Sequence, residues 1–93
     1  MKIGDTVYYG FGAKEDWGNH NVVCIAKVRL SSTMPKPYLG FEIKLLKVYI
    51  DNYPKEDQLQ NAHDGAFYSN DVLSPTLSVA VRRAIKGLFA RVS

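Results

Sequence analysis

Y-L-G-F-E-I-K-L-L-K-V-Y-I-D, Tyr38 to Asp51, is the stretch on which the fold turns. It is the longest apolar-rich run without a proline, and it reads as one long strand. Phe41, Ile43 and Leu45 alternate with Glu42 and Lys44, the period of a half-buried strand. At Leu45-Leu46 the alternation slips, and Leu46, Val48 and Ile50 fall in phase, with Lys47 and Tyr49 opposite. A slip of one residue sends an apolar set to the other face. A bulge or sharp bend at Leu45-Leu46 is therefore expected, because an extra residue re-aims the side chains and increases the twist. A strand bent in this way lets one segment serve both sheets of a small barrel.

The rest of the chain is read outward from this strand. Thr6 to Phe11 alternates, with Val7, Tyr9 and Phe11 on one face, and predicts a strand over 6–11. Gly10 and Gly12 flank Phe11; with no helix pattern behind them they read as strand-end or bulge glycines, not as a phosphate cradle. Ala13 to Asn21 is a loop by composition. Its Trp17 either folds back as a lid over one end of the barrel or stands out as an interface anchor. The second strand, 22–30, places Val22, Cys24, Ala26, Val28 and Leu30 on one face and Val23, Ile25, Lys27 and Arg29 on the other. The long strand spans 38–51, and a short one covers 66–69 with Phe67 inward. Between them Asn52 to Gly65 is a polar loop in which Tyr53 and Leu59 offer a contact surface. Residues 75–91 predict a helix, with Ser74 or Thr76 as cap and Pro75 in the first turn. Its apolar stripe is Leu77, Ala80, Val81, Ala84, Ile85, Leu88 and Phe89; Arg82, Arg83 and Lys86 fall outside it. Gly87 interrupts the stripe and points to a close approach to the sheet.

Ninety-three residues suit a single domain over 1–93, and 46% hydrophobic with 23% charged is ordinary globular composition. The net charge of +3 is too small by itself to imply nucleic acid. The charge is polarised, however. Asp51 to Pro75 holds five acidic residues against Lys55, which leaves eleven basic against four acidic elsewhere. One cysteine cannot form an internal disulfide, so a reducing, cytoplasmic setting is expected, and no run is long enough to cross a membrane. Cys24 reads as a small core side chain. His20, His63 and Cys24 lack the close paired spacing of a zinc site, so no metal and no cofactor is expected. Neither histidine has a partner at close spacing, and catalytic residues are not assigned.

K-I-G-D-T-V-Y-Y (Lys2–Tyr9) together with F-Y-S-N-D-V-L-S-P-T-L-S-V-A-V-R-R-A (Phe67–Ala84) resembles small bacteriophage and mobile-element proteins. The resemblance implies an SH3-like barrel carrying a C-terminal helix. With the strand pattern, the expected class is α+β and mainly β: a small, strongly bent antiparallel sheet or SH3-like barrel with one helix packed on it. Such helices commonly open T-x-E-E-A, whereas here the sequence is Thr76-Leu77-Ser78-Val79-Ala80, which points Val79 toward a partner or a second subunit. The resemblance carries no activity with it. The exposed-aromatic candidates and the contact-capable loop make a non-enzymatic protein that binds a larger host protein or nucleoprotein complex the leading expectation, with anti-CRISPR inhibitors of host defence as an analogy. Trp17, Tyr49, Tyr53 and Leu59 are the candidate partner-binding residues. The alternative is a nucleic-acid-binding module that uses a basic face of Lys27, Arg29, Lys44, Lys47, Arg82, Arg83 and Lys86. A homodimer is compatible with either, and a membrane partner with neither.

Overall fold

A computed structural model describes residues 1–15, 20–33, 40–55, 58–61 and 67–89. They form strands β1 (Thr6–Glu15), β2 (His20–Thr33), β3 (Phe41–Asp51), β4 (Phe67–Tyr68) and β5 (Leu73–Ser74), a short 3-10 turn (Leu59–Asn61), and helix α1 (Leu77–Phe89). The expected α+β class is what forms. The strands make one antiparallel sheet in the order β4-β3-β2-β1-β5. The sheet is not closed into a barrel.

The β1–β2 hairpin is longer than its composition predicts. Every pair from Thr6↔Arg29 to Glu15↔His20 stays in step, so Ala13–Glu15 and His20–Asn21 belong to strands and not to a loop. Ladder hydrogen bonds form between backbones, and the polar side chains of this stretch do not oppose them. Trp17 lies outside the described residues, as do Tyr38, Leu39, Ala66 and residues 90–93. β5 lies where a helix lead-in was expected; Leu73 and Ser74 pair instead with Tyr9 and Tyr8.

The alternation of β2 sorts the sheet's faces. Val22, Cys24, Ala26, Val28 and Leu30 are all buried, and the last four join Val7, Phe41, Leu59 and Leu73 in the core on the inner face. The sheet curls strongly around this core. Tyr9 on β1 and Tyr68 on β4 belong to strands three places apart, yet their rings meet edge to face with centroids 5.3 Å apart.

β3 carries the expected irregularity, with a different outcome. Val28 faces Leu45 while Lys27 faces Lys47, so Leu46 is the bulged residue. A second bulge follows, because Ala26 faces Val48 while Ile25 faces Ile50, leaving Tyr49 between. Each bulge sends two successive residues outward: Leu46 with Lys47, then Tyr49 with Ile50. The first therefore keeps Lys47 out of the core but does not bury the second apolar set. Leu46 and Ile50 remain 40% and 44% exposed, and Val48, inward by register, is 36% exposed. The second bulge turns Asp51 inward opposite Cys24. There its carboxylate accepts from the backbone N–H groups of Tyr53 (3.2 Å) and Leu59 (2.9 Å), fixing the turn that plugs the core.

Helix α1 does not cap a barrel end. It lies on the outer face of the sheet along β1, where Gly10 and Gly12 leave the strand bare. Ala80 sits over Gly10, Ala84 over Gly12, and Gly87 returns to Gly12. Four helical residues advance about 6 Å and two strand residues about 6.6 Å, so α1 runs nearly parallel to β1. Thr76 is the cap, its Oγ1 accepting from the Val79 N–H at 3.4 Å. Arg83 ties the helix to the turn before β5. Its Nη1 donates to the carbonyls of Asn70 (3.1 Å), Asp71 (3.3 Å) and Leu73 (2.8 Å). Arg83→Ala should cost about 1–2 kcal/mol in urea unfolding, since it removes the one nitrogen that serves all three carbonyls.

Candidate functional site: the outer face of β2 and β3

Two faces of the sheet carry groups of chemical interest. On the inner face, the Cys24 thiol is pushed up to about 12, by burial first and then by the charge of Asp51 and a hydrogen bond to it. Burial likewise raises Tyr9 and Tyr68 above the ordinary phenol value. Protons are held fast here. This cluster is a satisfied polar core and offers no nucleophile.

The outer face is different. Beyond α1, β2 presents Val23, Ile25, Lys27 and Arg29, and β3 presents Lys44, Leu46, Lys47, Tyr49 and Ile50. The register sets Lys27 opposite Lys47 and Arg29 opposite Lys44, four cations in two adjacent like-charge pairs. Such pairs are destabilising, each by about 0.2–1 kcal/mol. Among the described residues none of the four is in an ion pair. The Lys47 ammonium lies 5.1 Å from the centre of the Tyr49 ring, so these two side chains share the outer side of β3. Directly beside the cations, Ile25 faces Ile50 across the ladder, while Leu46 lies among the cations, between Lys44 and Lys47.

The helix completes this surface. With about 100° per residue, the flank of α1 opposite Arg83 carries Leu77, Val81, Ile85 and Leu88. Arg83 reaches toward β5, so this apolar flank overhangs β2, and Ile85 is 48% exposed. Ile25 and Ile50 lie beside the helix, level with Ala80, and the cations, with Leu46 among them, lie toward and beyond its N-terminal end.

Of the residues selected from sequence, Lys27, Arg29, Lys44, Lys47 and Tyr49 are brought together here. Leu59 is placed away from this face, buried in the core, and Tyr53 is half-buried against the same core. Their apolar surface packs into the inner-face core, which explains their place in an otherwise polar segment. Arg83 belongs to the helix–turn anchor, while Arg82 and Lys86 are exposed on the side of α1 turned away from the sheet. Val79 is half-buried on the Arg83 side, away from this face. The side chain of His20, and His63, lie outside the described residues. Leu46, Ile50 and Ile85 were not selected, because periodicity assigned all three to the core. The chain matches no protein family, no curated protein and no solved structure.

Proposed function

We propose that this is a non-enzymatic binding protein that docks an acidic protein surface on the outer face of β2 and β3. One observation carries the reading: two like-charge pairs, with no member in an ion pair among the described residues, share an open sheet face with Leu46, Ile25 and Ile50. Glu42 is the one carboxylate on the same stretch of β3. The cations supply steering and the aliphatic residues supply burial. A nucleic-acid surface uses the same cations but pairs them with aromatic stacking platforms. Here the exposed apolar residues are chiefly aliphatic, and they favour a protein. Occlusion of a host defence complex, by analogy with small phage inhibitors of similar size, is a use of this face within the same reading. We place the protein in the cytoplasm on its single free, buried cysteine; among the described residues no helix is long and apolar enough to cross a membrane.

The test is capture from bacterial lysate on the immobilised chain, with and without nuclease. A retained protein should survive nuclease treatment. Leu46→Asp with Ile50→Asp should weaken its binding by about 100-fold, the loss of two central contacts, and Lys44→Ala with Lys47→Ala should weaken it less. Retention that vanishes with nuclease, or a lysine pair whose loss abolishes binding with a steep salt dependence, gives the face to nucleic acid instead.

A further inference from the structure

The open strip beside α1 has the dimensions of one helix. Strands lie about 4.8 Å apart, so β3 runs about 9.6 Å from β1, over which α1 is seated. Packed helices sit about 8–10 Å apart. A second helix laid alongside α1 would therefore have its axis over β3. It would meet Ile25, Leu46 and Ile50 beneath it and the Val81–Ile85 flank at its side. Among the described residues nothing occupies that position.

We infer that the occupant is an amphipathic acidic α-helix of the partner, set beside α1 across β2 and β3 so that one helix layer extends over the sheet. This rests on the docking reading above and specifies the partner's secondary structure and charge. Charge selects the occupant. The strip ends in Lys27, Arg29, Lys44 and Lys47, so carboxylates on the incoming helix are complementary to it. A second copy's α1 is the wrong sign, because it contains Arg82, Arg83 and Lys86 and no acidic residue. An added strand is the competing geometry, since among the described residues β3 pairs on its outer edge only at Phe41 and Glu42. The bulges at Leu46 and Tyr49 break the regular spacing a strand would need, a known protection of open edges. A helix makes its contacts through side chains and is indifferent to that spacing.

The probe is a synthetic 14-residue peptide with leucines at helical i, i+3, i+4 and i+7 positions and glutamates elsewhere, titrated into the isotope-labelled chain. Its control is a scrambled peptide of the same composition. The amphipathic peptide should bind at least about tenfold more tightly, gain helical signal on binding, and shift the resonances of Ile25, Leu46, Ile50, Val81 and Ile85. Leu46→Asp with Ile50→Asp should remove the preference; if that variant fails to melt cooperatively, Lys27→Glu with Lys47→Glu, which leaves the apolar residues in place, should remove the binding. Equal binding of the two peptides, or shifts confined to other surfaces, overturns the helix inference. The docking reading then stands or falls separately on the lysate capture. A short DNA duplex that shifts these residues when neither peptide does overturns both.

Discussion

Gly87→Ala should destabilise the protein by about 2 kcal/mol or more, although the same change in an unpacked helix gains about 1 kcal/mol. The sign reverses because a Cβ on Gly87 would meet backbone: the Gly12 carbonyl oxygen, and the carbonyl carbon at 2.8 Å. No rotamer change relieves a backbone contact. The converse substitution is harsher. A Cβ on Gly10 meets the Ala80 carbonyl oxygen and lies 2.7 Å from the Ala80 Cα, so Gly10→Val should cost about 3 kcal/mol or more and loosen the helix from the sheet. Urea unfolding of the two variants beside Ser78→Ala, an exposed position on the same helix, checks this. A Gly87→Ala protein more stable than the parent would mean that the helix and β1 do not approach so closely.

The second large effect is chemical. With the Cys24 thiol pushed up to about 12, its thiolate population at pH 8 is about a thousandfold below that of an ordinary cysteine. Labelling by a thiol reagent in the folded protein should be slower than in urea by about that factor, and rapid labelling would remove Cys24 from the core. The same proton sets an alkaline limit. The unfolded chain releases it near ~8.5, whereas the folded chain holds it to about 12. Between these values the native state binds the extra proton, so stability is intact below ~8.5 and falls by about 1.4 kcal/mol per pH unit above it. Tyr9, also raised by burial, steepens the fall above ~10. Melting temperatures should be level from pH 6 to 8 and then decline, and Cys24→Ala should delay the onset to the tyrosine range.

Much of this fold was legible in the chain. The period-two pattern of β2 identified all five of its buried residues, and the slip at Leu45-Leu46 marked the first bulge, because both are printed in side-chain polarity. The extension of β1 and β2 toward the hairpin was not legible, since ladder bonds between backbones leave no trace in residue type. Gly10 and Gly12 were read as a strand end. Their spacing of two, matched with Ala80, Ala84 and Gly87 on one helix stripe, was the available signal for a helix seated on a strand. The binding face was half legible. Periodicity found its cations and missed its aliphatic residues, because the apolar pattern of β3 looks the same whether its second half faces a core or a partner. Only the register decides, and the second bulge, at Tyr49, has no mark in the sequence.

The two bulges have a consequence for what β3 is made of. Seven residues, Leu45 to Asp51, span the five from Val28 to Cys24. If Leu46 and Tyr49 are struck out, Leu45, Lys47, Val48, Ile50 and Asp51 alternate in and out without a fault, and each keeps its partner on β2. Parity flipped twice is parity restored. Leu46 and Tyr49 are thus surplus to the ladder, two letters the sheet could spell itself without, and both project from the face that carries the cations.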